Sequence, residues 1–299
     1  MKKSVSMLLA ALMLTGALAG CGSSASTSDS QAADGADSGV SGAITVISRE
    51  DGSGTRGAFI ELTGVEEKTA DGKKVDNTTA DAEIANKTDV VLTSVAGNEK
   101  AIGYISLGAL NDTVKAVKVD GAEATVDNVK AGAYKLSRPF NIATKGEPTG
   151  VAKDFINFIL SKEGQAVVTD NKYIAVNDAA GSFVSDGSSG QIAVGGSSSV
   201  SPVMEKLIEA YKSVNPNASI DLQTSDSTSG MTGAMDGTFA IGMASRELKD
   251  EEAAQLTGTA IALDGIAVIV NPANTIDELS MDQIKSIYVG DITDWGDLA

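Results

Sequence analysis

Two rhythms of apolar and polar positions alternate along this chain. Short apolar runs rich in β-branched residues read as buried strands at residues 43–48 (AITVIS), 101–107 (AIGYISL), 114–121 (VKAVKVDG) and 138–145 (RPFNIATK). The same pattern returns at residues 191–196 (QIAVGG), 219–225 (SIDLQTS), 239–245 (FAIGMAS) and 259–272 (TAIALDGIAVIVNP). Between them lie stretches of helical period. Residues 55–64 (TRGAFIELTG) predict a helix closed by Gly64. Residues 151–171 predict one strong helix, with Val151, Phe155, Phe158 and Ile159 on one face. Residues 201–216 predict a helix with Ser201 as N-cap and Pro202 at its first position. A short helix begins near residue 229, and residues 280–290 form one capped by Ser280. The polar stretch 63–89 reads as a loop with a weak helix near 81–86. Strands alternating with helices predict an α/β fold on largely parallel sheets.

Two interruptions divide this pattern. Residues 22–42 contain almost no large apolar side chain, cannot bury a core and read as a flexible tether. Residues 185–190 (SDGSSG) are a shorter break between two well-patterned regions. At the N-terminus, Lys2 and Lys3 precede an apolar run too short for a membrane span, so residues 1–20 read as a secretion signal. Leu18-Ala19-Gly20-Cys21 resembles the lipobox of bacterial lipoproteins, which implies that Cys21 becomes the lipid-bearing first residue.

Composition narrows the chemistry. The 299 residues suffice for one large domain or two lobes, and the formal net charge is −17. Such a charge argues against nucleic acid or an anionic membrane as partner of the bulk surface. A small anion is not excluded, since it feels local donors first. The chain has no histidine and one cysteine, which removes Ser-His-Asp and Cys-His catalysis, the common zinc sites and any intrachain disulfide. No calcium loop of the D-x-[DN]-x-[DN]-G type occurs, and no cofactor or metal is expected.

Three segments share one design: a strand, a loop of glycine and hydroxyls, then a helix. They are residues 51–55 (DGSGT), 195–199 (GGSSS) and 225–230 (SDSTSG). A helix N-terminus offers unpaired N–H groups and partial positive charge, glycine permits close approach, and serine and threonine add neutral donors. Hydroxyl residues also cap helices with no ligand in view. Three such loops in one chain, one preceded by Arg49, favour a converging anion cage. Residues 52–57 also match G-x-G-x-x-G, but the dinucleotide context is missing. Arg49-Glu50-Asp51 separate the strand from the glycines, and no apolar strand follows about twenty residues on. Arg49 offers a planar fork for an oxyanion, and Asp51, two residues on, would orient that fork or accept a proton from the ligand. Phosphate at neutral pH carries a proton, and sulfate does not.

These residues resemble the phosphate-binding lipoproteins of bacterial ABC importers. SREDGSGTRGAF (48–59) is similar to that family's R-x-D-G-S-G-T loop, and AVGGSSSVSPVMEKLIEAY (193–211) to its first strand–loop–helix. The resemblance covers nearly all of residues 43–299 but in a different order, the family's second half standing first. It implies a two-lobed, periplasmic-binding-protein-like (type II) α/β architecture with a hinge, circularly permuted, with residues 185–190 as the seam. One lobe would comprise residues 43–135 plus 266–299 and the other 136–265, with residues 21–42 as the lipid-anchored tether. Carried over by position, the phosphate-binding residues are Arg49, Asp51, Ser53, Gly54, Thr55, Ser198, Ser199, Ser227 and Ser245. Ser245 stands where some members place a carboxylate, and Arg246 beside it would serve the site or pair with a neighbouring acid. The implied function is a monomeric, non-enzymatic receptor on the extracytoplasmic face of the membrane. It would capture inorganic phosphate and pass it to ABC permease subunits. A phosphate-ester hydrolase and a phosphate sensor without transport are the alternatives.

Overall fold

The computed structural model describes residues 40–298. The secretion signal, Cys21 and nearly all of the tether therefore lie outside the described residues. The chain runs through β1 (Thr45–Arg49), α1 (Gly54–Thr63), a hairpin of β2 (Glu66–Lys68) and β3 (Lys74–Asp76), β4 (Glu83–Ala85), α2 (Thr88–Ala96) and β5 (Ala101–Ser106). Short β6 (Lys115–Ala116), β7 (Lys118–Val119) and α3 (Val126–Lys130) lead to β8 (Ser137–Thr144), α4 (Gly150–Ile159) and α5 (Lys162–Asp170). Then come β9 (Gly190–Ser197), α6 (Ser201–Val214), β10 (Ala218–Ser225), α7 (Ser227–Asp236) and β11 (Ile241–Ala244). The chain ends with α8 (Asp250–Ala253), β12 (Thr257–Val270), β13 (Glu278–Leu279) and α9 (Met281–Val289).

A nine-stranded sheet runs β10-β9-β11-β8-β12-β5-β1-β4, with β6 beside β12. Its two ends are parallel: β1 with β4 and β5, and β9 with β10 and β11. Its middle is not, because β8 and β12 run antiparallel to each other and to β11 and β5 respectively. The expectation of largely parallel sheets therefore holds only at the ends. The 14-residue β12 changes partner along its length: Thr257 to Gly265 pair with β8, and Ile266 to Val270 with β5. One continuous apolar strand thus serves two cores. The first gathers Ile47, Phe59, Ile102, Tyr104, Val268 and Tyr288; the second Phe140, Phe155, Val194, Leu207, Met243 and Ile261. This is the two-lobed α/β arrangement, with β12 and the start of β8 crossing between lobes.

Local differences from the sequence reading have simple causes. Residues 151–171 form two helices, because Ser161 turns its hydroxyl to the Phe158 carbonyl and caps α5 through the Gly164 N–H. Ser201 is the first residue of α6, not its cap; its hydroxyl bonds the Ser197 carbonyl and the Thr224 hydroxyl. The weak helix expected near 81–86 is strand β4, added in parallel to β1, and the helix follows at α2.

The break at residues 185–190 is fastened at its start. Asp154, buried on α4, accepts hydrogen bonds from the Ser185 hydroxyl (2.7 Å), the Asp186 N–H (3.0 Å) and the Tyr211 hydroxyl (2.8 Å). Asn215 donates to Asp154 and to the Ser188 carbonyl. Burial disfavours the charge, but these donors outweigh it and hold the Asp154 carboxyl below its ordinary value. Its contribution to stability is therefore present above about pH 4 and is lost as pH falls through the folded-state value. Asp154→Ala leaves several donors without an acceptor and lowers the unfolding free energy by about 3 kcal/mol, read by urea denaturation at pH 7. A loss below about 0.5 kcal/mol would contradict this role.

Candidate functional site

Loops that follow the carboxyl ends of parallel strands meet between the two cores, where open α/β sheets place their ligands. From the first core come Arg49, the last residue of β1; Thr55, in the first turn of α1; and Thr88, the first residue of α2. From the second come Ser197 at the end of β9, Ser198 and Ser199 after it, Ser227 at the start of α7, and Ser245 just past β11. All are buried. The packing that allows this is tight. A Cβ on Gly196, whose φ is +135°, would lie 2.9 Å from the Gly230 Cα, so glycine lets β9 press against α7.

The hydroxyls form a continuous cluster. Thr55 Oγ1 lies 2.8 Å from Ser199 Oγ and 3.3 Å from Ser245 Oγ. Ser245 Oγ accepts from Ser197 (3.0 Å) and lies 3.5 Å from Ser227 Oγ, which in turn accepts from the Ser245 N–H. Thr88 Oγ1 lies 3.3 Å from Ser199 Oγ and 3.5 Å from Ser198 Oγ. Gly54, Thr55, Ser227 and Thr88 also bring first-turn N–H groups, which have no acceptor within their own helix.

Two guanidiniums flank the cluster. Arg49 donates to Ser198 Oγ (3.1 Å) from Nη2. Glu50 holds its fork at 2.8 Å from both Nε and Nη2, and the Ala85 carbonyl also accepts from Nε. The Tyr104 hydroxyl accepts from the Arg49 N–H and bonds Ser48; burial pushes this phenol up to about 12, so it stays neutral. Phe59 stacks on Tyr104 at 4.0 Å and fixes that ring. On the other side, Arg138 donates to Thr55 Oγ1 from Nη2 (3.2 Å) and to Asp264 and the Gly265 carbonyl from Nη1. Asp264 also accepts from Ser106 (2.7 Å) and the Gly108 N–H. Burial works to raise the Asp264 carboxyl and to lower the Arg138 guanidinium, and each opposes that drift in the other. Among the described residues, Arg49 Nη1 and Arg138 Nε are buried without a hydrogen-bond partner. Each such donor costs about 1–3 kcal/mol unless an acceptor meets it. Two like charges, orphaned donors and a hydroxyl shell together suit a small oxyanion.

Arg49, Gly54, Thr55, Ser198, Ser199, Ser227 and Ser245 are brought together. Ser53 is buried beside them and caps α1 by accepting from the Arg56 N–H. Asp51 is not at the cluster. Its side chain is 97% exposed and pairs with Arg56 at 2.8 Å. Extended alternation does not reach Asp51, because β1 ends at Arg49 and the chain turns at Asp51-Gly52, so the adjacent Glu50 orients the arginine fork. Arg246 pairs with the buried Glu252 through two nitrogens (2.7 and 2.8 Å) and reaches Thr228. Thr88 and Arg138 also border the cluster and lie outside the three loops read from the sequence, while Ser197 lies within the 195–199 loop but not among the residues carried over by position. For Arg138 a signal exists: an arginine in one apolar run and an aspartate in another are each improbable alone and make sense as a buried pair.

Comparison with known proteins bears on this arrangement. A family model described as a PBP superfamily domain matches residues 24–163 and 182–299. The chain is 50% identical over 300 residues to phosphate-binding protein PstS 2 of Streptococcus agalactiae, covering 99% of this chain and 98% of that one. It is 48% identical to phosphate-binding protein PstS 2 of Streptococcus pneumoniae, covering 99% of both. A crystal structure described as a phosphate ABC transporter, phosphate-binding protein from Streptococcus pneumoniae matches with a TM-score of 0.69 and 50% identity. The match covers 86% of this chain and 100% of that one.

Proposed function

The chain belongs to the PBP superfamily, and on that premise we propose that it captures inorganic phosphate outside the cytoplasm for an ABC importer. The observation that carries the reading is the single shell formed by Arg49, Thr55, Thr88, Ser198, Ser199, Ser227 and Ser245 from two separate cores. Phosphate would be held by the Arg49 fork, the hydroxyls and first-turn N–H groups, and no bond is made or broken. Binding and release follow from hinge motion, because the contacts that close the shell join opposite lobes. Besides the hydroxyl contacts, the Thr228 N–H donates to the Gly52 carbonyl at 3.1 Å. Opening about β12 and β8 would break these contacts and leave each core intact.

The receptor would act as a monomer, anchored by a lipid on Cys21, with its partners the permease subunits of the importer. Among the described residues no helix is long and apolar enough to cross a membrane. The alignment with the Streptococcus agalactiae protein runs end to end, so the order of segments is common to both. We read that order as a circular permutation of the arrangement in other phosphate-binding lipoproteins, with residues 185–190 as the seam.

Isothermal titration with potassium phosphate tests the reading. One phosphate binds per chain with saturable heat, and a chromogenic phosphate ester is not cleaved. A folded sample that gives no heat with phosphate contradicts it.

A further inference from the structure

Thr55 is the hydroxyl at which the shell meets the crossing between lobes. Its Oγ1 lies 2.8 Å from Ser199 Oγ and 3.3 Å from Ser245 Oγ, and it accepts from Arg138 Nη2 at 3.2 Å. A hydroxyl has one proton and two lone pairs, and a guanidinium only donates. The bond to Arg138 therefore fixes the sense of this hydroxyl. One lone pair faces the guanidinium, and the proton is turned away from it. Among the described residues, the other groups that hydrogen-bond with Thr55 Oγ1 are those two serine hydroxyls. The Thr55 proton is thus directed to the shell, where an oxyanion would meet it.

Arg138 can hold that sense because it is itself held. It stands opposite Asp264 in the register of β8 and β12, and its Nη1 donates to that carboxylate and to the Gly265 carbonyl (2.7 Å). Asp264 is fixed in turn by the Ser106 hydroxyl (2.7 Å) and the Gly108 N–H (3.3 Å). The guanidinium also lies over the Phe140 ring, 5.0 Å from its centroid. Both members of the pair are buried. A buried ion pair is weak evidence for stability, because desolvating two charges offsets much of their attraction. Its place beside the shell suggests another role, and the hydrogen bond that joins it to the shell is the one to Thr55.

We propose that Arg138 is a positioning residue of the anion site: anchored by Asp264, it presets the Thr55 hydroxyl as a donor toward the bound oxyanion. This rests on the phosphate-capture reading above and adds the device that orients one of its donors. A free hydroxyl has to be turned and held when the ligand arrives. A donor that already faces the ligand is spared that ordering cost. A hydroxyl that accepts from a cation is also a stronger donor, since each hydrogen bond in a chain polarises the next.

A double-mutant cycle read by calorimetric titration with potassium phosphate tests this. Thr55→Val removes the hydroxyl with little change of shape and weakens phosphate by about 10–100-fold. The paired variant Arg138→Met/Asp264→Asn removes both charges together, so no lone buried ion remains, and weakens phosphate by about tenfold. In the Thr55→Val background the same pair weakens phosphate by less than about twofold, because the hydroxyl through which Arg138 acts is already gone. A merely structural pair, or an Arg138 that touches the anion directly, would weaken phosphate as much in that background as in the unmodified protein. That result overturns the proposal. Should the paired variant not fold, Arg138→Lys runs the same cycle. It keeps the charge beside Asp264 without the fork to Thr55, weakens phosphate by about three- to tenfold alone, and adds nothing to Thr55→Val. Full phosphate affinity in the folded Arg138 variant, or in Thr55→Val, also overturns the proposal. Absence of phosphate binding by the unmodified, folded protein instead refutes the parent reading.

Discussion

Arg49→Met weakens phosphate binding by about 10²–10³-fold and leaves the fold intact, because the lost interaction is a desolvated, charge-assisted one worth about 3–4 kcal/mol. Arg49 is 2% exposed, its Nη2 already donates to Ser198, and its Nη1 has no partner among the described residues. Methionine retains much of the packing stem but supplies no donor. The partner left behind, Glu50, has a side chain 21% exposed and turns to water, so a buried unpaired charge is avoided. Arg49→Lys should fall between the two, since an ammonium keeps the charge but cannot span Glu50, Ala85 and the ligand with one planar fork. Calorimetry reads the affinity and thermal unfolding the fold. An unchanged Kd for Arg49→Met would remove the arginine from the site.

Gly54→Ala separates closure from stability. Gly54 opens α1, and a Cβ built there lies 2.3 Å from Ser227 Oγ, 2.9 Å from Ser245 Oγ and 3.0 Å from Arg246 Cγ. All of these belong to the opposite lobe. The clash is relieved when the lobes part, while alanine suits a helix better than glycine by about 1 kcal/mol. The expected result is a loss of phosphate affinity of about 10²-fold with thermal stability in the absence of phosphate unchanged or raised. Small-angle scattering would show that phosphate no longer contracts the variant. Affinity equal to that of the unmodified protein would mean that the lobes do not meet at Gly54 when ligand is bound.

The parts of this site legible in the sequence are those built from one continuous segment. A strand, then glycines and hydroxyls, then a helix is a local pattern, and it located Arg49, Gly54, Thr55, Ser198 and Ser227 without any fold. Backbone direction at a turn is less local. Strand alternation puts Asp51 on the same side as Arg49, but the strand stops two residues earlier and the Asp51 carboxylate swings out to Arg56. Pairings across long separations were not legible. Arg138 and Asp264 are 126 residues apart and meet because β8 and β12 lie side by side. Thr88 opens a helix that was hidden in a polar stretch, because the preceding strand β4 buries only Ala85. At the level of fold, the strand–helix alternation was readable, and the reversal of direction in the middle of the sheet was not. Direction in a sheet is set by the crossing of β12 and β8 between cores, which no single segment encodes.

A crystal structure grown with phosphate tests the central claim most directly. The account predicts one tetrahedral anion between the lobes, within hydrogen-bond distance of Arg49 Nη1 and of hydroxyls from Thr55, Ser198 or Ser199, and Ser227 or Ser245. An anion bound elsewhere, with these hydroxyls still bonded to one another, would contradict it.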